Sequence, residues 1–239
     1  MNWQTAIGIL STIALFSPVV VILVYRLFRY KNYMALFFYC FFAFAYNIMS
    51  ERYLILPGNV ERIFGMFTNL LDAPLLLFFL MVFSTSAANT KWMKILLLLF
   101  IVFEIIIIAL KGLNLKSITI IMGPGLFLVF GYALYYFVQT IKRSFIHAKA
   151  VSKALMASAI CFANGCFIFV YLMYYVYDVP GTAYIFIVYF TITIIYCSLL
   201  SVGLVQESKR KRKLEEVLHT RKELLQFFAD EKKPAIFKK

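Results

Sequence analysis

Seven long apolar runs constrain this chain more than any other feature of its sequence. Each run holds about 17 to 24 residues, and an α-helix needs roughly 20 apolar residues to cross about 30 Å of hydrocarbon. In that medium each backbone amide must bond within its own segment, which requires a helix. The fifth run is interrupted by Gly123-Pro124-Gly125. The sequence therefore predicts an all-α membrane protein, a bundle of seven transmembrane helices at 5–25, 33–49, 63–83, 91–110, 118–138, 154–177 and 182–205.

Composition disfavours a large soluble bundle. Hydrophobic residues make up 63% of the 239 and charged residues only 15%, whereas an ordinary soluble domain carries about 25% charge. The net charge of +13 invites a nucleic-acid partner, but the basic residues lie between and after the apolar runs. We therefore interpret them as topology signals and as contacts to anionic lipid, with the lipid bilayer as the partner and no nucleic acid.

The distribution of lysine and arginine predicts the orientation. The first, third and fifth connections and the C-terminal tail hold 20 of the 24 basic residues; the other four are Arg52, Arg62, Lys111 and Lys116. Because positive connections stay in the cytoplasm, the N-terminus is predicted outside and the C-terminus inside. The first residues contain no basic n-region of a signal peptide, so the first run is interpreted as a retained helix.

The tail has a different composition from the apolar runs, so we divide the chain into a transmembrane domain, 1–205, and a basic cytoplasmic tail helix, 206–239. A cationic run opens the tail, and leucine, valine and phenylalanine then recur at helical spacing. An amphipathic helix on anionic lipid, a short dimerising coiled coil and a docking segment for a cytoplasmic partner all fit this pattern. The predicted membrane-surface or partner residues are Lys209, Arg210, Lys211, Arg212 and Lys213.

Asp72 is a carboxyl group near the middle of the third run. Charges at such depth are costly and are usually functional. Asn69 and Thr68 lie three and four residues earlier, on the same helix face. Pro74 cannot bond the carbonyl of Leu70, which leaves a polar notch beside the acid. We expect this group to anchor a ligand or an ion, or else to hold the bundle together through an interhelical hydrogen bond.

Other deep polar and aromatic residues extend this candidate site. Glu104, in the fourth run, has no polar neighbour one turn away on its own helix. Tyrosines in the sixth and seventh runs could line an aromatic pocket together with Asp72, or simply be packed. The predicted ligand-binding residues are Asp72, Asn69, Thr68, Tyr171, Tyr174, Tyr175, Tyr189 and Glu104, and the expected ligand is a small apolar molecule.

Catalytic and cofactor motifs are missing from the sequence. The runs contain no histidine for a metal hydrolase, and there is no Gly-x-Ser-x-Gly, phosphate-binding loop or dinucleotide motif. We therefore expect no enzyme activity, no metal and no cofactor.

The segment 68–77, Thr-Asn-Leu-Leu-Asp-Ala-Pro-Leu-Leu-Leu, resembles the third helix of microbial rhodopsins through Pro74 to Leu77. The resemblance implies a seven-helix layout with the N-terminus outside. The seventh run contains no lysine for a retinal Schiff base, and the counterion position of that family is occupied by Thr68. Retinal chemistry and light-driven pumping are therefore not expected.

The layout also resembles the seven-span sensory regions of bacterial signalling proteins, which implies a multi-pass protein of the cell membrane, in bacteria the inner membrane. From these features we expect a sensor-like or receptor-like protein that signals through its tail. A homo-oligomer, or a cytoplasmic or membrane protein, would receive the signal. The alternatives are an ion- or proton-coupled transporter or channel that uses Asp72 and Glu104, and a membrane scaffold for partner proteins.

Overall fold

The computed structural model describes residues 3–51, 53–54, 57–146, 150–176 and 182–231. Within these ranges the chain forms seven helices that are long and apolar enough to cross a membrane, which confirms the predicted number. Two 3₁₀ turns, Leu27–Arg29 and Met81–Phe83, and a π-helical turn at Leu172–Val176 adjoin them. The helices are α1 Trp3–Val24, α2 Lys31–Ser50, α3 Gly58–Leu80, α4 Ala87–Lys111, α5 Leu115–Ile146, α6 Val151–Tyr171 and α7 Thr182–Glu231.

Six of the helices pack in a closed ring, in the order α1, α2, α3, α5, α6, α7 and back to α1. The fourth helix, α4, lies outside this ring against α3 and α5. It buries only Met93, Phe100 and Glu104, which are spaced so that they share one helix face. The other faces of α4 are lined with exposed leucine, isoleucine and valine, as expected of a helix that lipid surrounds.

The packed core lies toward one end of the ring. We call this the basic end, because the lysine- and arginine-rich connections lie there. The core combines the basic-end halves of the helices, with fully buried side chains such as Ile22, Leu36, Phe79, Met156 and Leu200. The other half of the ring is less densely filled, and that difference positions the candidate site.

Two helices run on where the apolar sequence does not. Gly123-Pro124-Gly125 interrupts the fifth apolar run, which was predicted as one helix at 118–138, and α5 continues through these residues. A proline inside a helix removes one backbone hydrogen bond without ending a helix that lies among others in a membrane. The seventh helix was expected to end near Val205, but it runs on to Glu231.

Several predicted features lie outside the described residues. They are Arg52, Lys149, the connection at 177–181 and the end of the tail at 232–239.

Candidate functional site

A cavity of about 640 Å³ lies inside the ring, in the half away from the basic end. All seven helices contribute to its wall. Ligand pockets in proteins generally measure about 300–1,000 Å³, so the cavity has the size of a small-molecule site. The structure brings all eight predicted ligand-binding residues to its wall: Thr68, Asn69, Asp72, Glu104, Tyr171, Tyr174, Tyr175 and Tyr189.

Asp72 is held in the wall by α3. The Asp72 carboxylate has no hydrogen bond or ion pair with any described residue, and its side chain lines the cavity. The next residue, Ala73, lies so close to α5 that a Cβ added at Gly125 would be 3.0 Å from the Ala73 Cβ. Along the helix axes, Asp72 therefore lies at the same height as the tight contact between α3 and α5. Its side chain is on the cavity side of that contact.

Glu104 enters the wall from α4. Its side chain is only 7% exposed, and its Oε1 atom has no hydrogen-bond partner among the described residues. Phe100, one turn before Glu104, contacts the same surface of Gly125. Because a turn spans about 5.4 Å, the two carboxyl groups lie within about one to two turns of the same level. The structure thus brings Asp72 and Glu104 to one cavity from different helices.

Three of the four predicted tyrosines come from the end of α6 and from the π-helical turn that follows it. Tyr171 donates its hydroxyl to the carbonyl oxygen of Thr119 at 3.0 Å, and the rings of Tyr171 and Tyr175 lie 5.5 Å apart. The rings of Tyr174 and Tyr175 are 4.7 Å apart, edge to face. A Cβ at Gly123 would be 2.8 Å from the Tyr171 hydroxyl oxygen, so glycine permits this close approach to α5.

Sequence reasoning missed the contribution of α2. Tyr39, Ala43, Tyr46, Asn47 and Ser50 all line the cavity, at spacings that place them on one helix face. That spacing was the available signal. It was hidden because phenylalanines cover the other faces of α2.

Asn47 on α2 lines the cavity. It also donates to the Thr12 hydroxyl oxygen at 2.7 Å, so it joins α2 to α1. Tyr196 on α7 is another wall residue, one that was not among the eight predicted ligand-binding residues. Glu51 adds a third carboxyl group at the end of α2.

A second polar cluster lies at the basic end. Glu207 is fully buried and accepts hydrogen bonds from Ser152 at 2.7 Å and from Arg210 at 2.8 Å. Lys211 places its ammonium 3.3 Å from the centre of the Tyr30 ring and 4.2 Å from that of Tyr33. We call Ser152, Glu207, Arg210, Lys211 and Tyr30 the anchor cluster.

The anchor cluster divides the predicted cationic run into two parts. Arg210 binds Glu207 of its own helix and Lys211 lies over two tyrosine rings, whereas Lys209, Arg212 and Lys213 are exposed. Arg212 still places its guanidinium carbon 5.4 Å from the centre of the Tyr25 ring. Glu207 lies in the same tail segment and was not singled out from the sequence. Its carboxylate is buried because a guanidinium and a hydroxyl replace its water.

Comparison with known proteins yields no relative: no protein-family model matches the chain, and no curated protein or solved structure matches it. The class is therefore defined by the fold alone. It is a helical multi-pass membrane protein with seven candidate spans in its described residues.

Proposed function

We propose that this chain is a receptor-like membrane protein, in which a small ligand occupies the cavity and α7 transmits its presence to the cytoplasmic side. One observation carries the proposal. The helix that contributes Tyr189, Thr193 and Tyr196 to the cavity is continuous with the helix that bears Glu207 and Arg210. A displacement of the cavity wall is therefore also a displacement of the tail.

The contacts that would register such a displacement are polar and few. Glu207 is joined to α6 through Ser152, and the Tyr30 hydroxyl donates to Glu215 at 2.8 Å. Hydrogen bonds of this kind depend steeply on distance and angle. Helix shifts of about 1–2 Å, which are typical of switching proteins, suffice to exchange one set of partners for another.

The exposed part of α7 fits this role. From Arg212 to Leu225 every residue is exposed, and 50 helical residues extend about 75 Å, far more than the membrane thickness. A continuous helix favours a tail that projects into the cytoplasm over one that lies on the lipid surface. The exposed Val217, Leu218 and Leu224 then remain available to a partner protein or to a second copy.

The proposal can be tested without a known ligand, by filling the cavity with a side chain. Thr193→Trp places an indole in the cavity from α7. Thr191→Trp is the matched control, because Thr191 is exposed on the same helix and both hydroxyls bond the carbonyl four residues earlier. Spin labels on exposed Arg29 and Lys222 report the distance between the α1–α2 connection and the tail.

We expect Thr193→Trp to shift the mean label distance by about 1–2 Å and Thr191→Trp to leave it unchanged. The labels are attached to cysteines in a background in which the four native cysteines are replaced by alanine. Identical distance distributions for the two tryptophan variants would contradict transmission through α7.

A second candidate function is an ion- or proton-coupled transporter. It is favoured by the presence of Asp72 and Glu104 in one cavity and by the unpaired Oε1 atom of Glu104. Proton flux into liposomes that contain the purified chain, abolished by Asp72→Asn, would support transport. Its absence, together with a label shift in Thr193→Trp, would support the receptor.

A further inference from the structure

All charged side chains among the described residues of the cavity wall are acidic. Three carboxylic acids, Glu51, Asp72 and Glu104, line it, and no lysine, arginine or histidine does so among the described residues of the wall. An ionised carboxylate in such a place is unfavourable unless it is paired. The described wall therefore offers these acids no cationic partner for their ionised form.

Glu104 is a buried wall residue with a polar atom that has no hydrogen-bond partner among the described residues. It is one of the three buried residues of α4, its side chain is 7% exposed, and its Oε1 atom is left without a partner. Tyr196 repeats the pattern on the other side of the ring, since it is 3% exposed and its hydroxyl has no partner among the described residues. Both line the cavity, and buried polar groups without partners are rare in folded proteins.

Several other polar groups of the wall already use a hydrogen-bond donor within the protein. Thr68 and Thr193 donate to the carbonyls of Phe64 and Tyr189 on their own helices. Asn164 donates in the same way to Ile160. As described above, Asn47 and Tyr171 donate to Thr12 and Thr119. The hydroxyls of Thr68, Thr193 and Tyr171 have a single donor each, which is used in this way, so what they can offer to a ligand is lone pairs that accept hydrogen bonds.

Aromatic rings supply the rest of the surface. Seven tyrosines line the cavity, together with Phe100, Phe167 and Phe190, and the rings of Phe167 and Tyr189 lie 5.2 Å apart. The face of such a ring attracts a cation within about 6 Å of its centre. Carboxylates, hydroxyl lone pairs and ring faces all favour the same kind of ligand, one that is positively charged and donates hydrogen bonds.

Other ligand classes fit this wall less well. An anion would meet three carboxyl groups and no cation. A purely apolar molecule would leave Glu104 Oε1 and the Tyr196 hydroxyl buried without partners, which is unfavourable for each of them. A bare metal ion requires several ligating side chains together, and among the described residues no group of three His, Cys, Asp or Glu is arranged to hold one.

We propose that the cavity binds a small organic cation, an amine with an apolar body, whose charge lies between Asp72 and Glu104 and whose body contacts the tyrosine rings. The inference rests on the proposed function only in that it assumes the cavity is a ligand site. It replaces the apolar ligand expected from the sequence, which placed Asp72 beside the tyrosines but did not reveal that the wall has no cation of its own.

The test compares three probes that share a phenethyl body, on the full chain in detergent. Phenethylamine carries an ammonium with N–H donors, trimethyl(2-phenylethyl)ammonium carries a fixed charge without N–H donors, and 2-phenylethanol is neutral. We expect phenethylamine to raise the thermal unfolding temperature most, in a concentration-dependent way, the quaternary cation to raise it less, and the alcohol to have no effect.

Substitutions then locate the binding site. Asp72→Asn and Glu104→Gln should each weaken the binding of phenethylamine by at least about tenfold, because each removes a charge partner. Glu61→Gln is the matched control, since Glu61 lies on α3 outside the cavity wall. Should an acid variant fold poorly, Tyr196→Phe removes only a hydroxyl without a partner and should weaken binding while preserving the fold.

Each outcome decides one claim. Equal stabilisation by the alcohol and the cations would overturn the cation inference and leave the ligand site standing. Unchanged affinity in all three cavity variants, or no stabilisation by either cation, would also overturn it. Binding that depends on Asp72 and Glu104 without a shift between labels at Arg29 and Lys222 would support the inference and contradict the proposed receptor function.

Discussion

The contact between α6 and α7 at Gly203 predicts a measurable loss of stability. A Cβ at Gly203 would lie 2.6 Å from the Met156 Cγ atom, 3.3 Å from the Met156 nitrogen and 3.4 Å from the Ser152 carbonyl oxygen. Met156 is fully buried, so its side chain has little room to move away. The steric overlap of the new Cβ with these two backbone atoms can be relieved only if the two helices move apart.

Such overpacking costs about 1–3 kcal/mol. The greater helix propensity of alanine returns up to about 1 kcal/mol of this, so we expect Gly203→Ala to destabilise the bundle by about 1–2 kcal/mol. Gly131→Ala on α5 is the matched control, because nothing lies within 4 Å of a Cβ there. Only the propensity gain remains, so Gly131→Ala should leave the stability unchanged or raise it by up to about 1 kcal/mol.

The assay is equilibrium unfolding in dodecyl sulfate titrated into a mild detergent, followed by circular dichroism, with the two variants measured beside the wild type. The reasoning depends on the difference between the variants, about 1–3 kcal/mol, because the propensity gain is common to both and only the overpacking cost remains. Equal free energies of unfolding for Gly203→Ala and Gly131→Ala would refute the close packing of α6 on α7.

Two further predictions concern the anchor cluster. Ser152→Ala removes a hydrogen bond to the buried carboxylate of Glu207 and should cost about 1.5–3 kcal/mol in the same unfolding assay. Ser158→Ala, whose hydroxyl bonds only its own helix, should change stability by less than about 0.5 kcal/mol; equal losses would contradict the importance of the Glu207 contact. The hydrogen bond to Glu215 raises the pKa of Tyr30 above its ordinary value of 10.0, so this contact should persist below pH 10 and be lost as the pH rises through the raised pKa. Absorbance of the phenolate at high pH, compared between wild type and Tyr30→Phe, checks this, and a Tyr30 that titrates at or below pH 10 would contradict it.

The fold could be predicted because lipid imposes a simple rule on the sequence. A run such as 96–103 contains only leucine, isoleucine, valine and phenylalanine, and such a run in hydrocarbon must be a helix. The ends of the helices were less predictable than their number. The apolar part of α7 stops near Val205, but no proline or other helix-breaking residue follows until Pro234, and the structure continues the helix to Glu231.

The candidate site was predictable where a residue contrasts with its neighbours. Asp72 and Glu104 stand out as acids in apolar runs, and both line the cavity. Tyr39 and Tyr46 do not stand out, because α2 contains aromatic residues on every face. Glu207 was missed for another reason. It lies among charged residues, and only the packing of α6 against α7 distinguishes a buried carboxylate from a solvated one.

The 50-residue length of α7 has a mechanical consequence. At Gly203 this helix packs tightly against Met156 and Ser152 of α6, so this contact can serve as the pivot of a rigid rod. Thr193 is ten residues from that pivot, about 15 Å, and Leu225 is 22 residues beyond it, about 33 Å. Tilting α7 about Gly203 therefore works as a lever that roughly doubles the motion, so that each 1 Å of sideways movement at the cavity becomes about 2 Å at the far end of the tail.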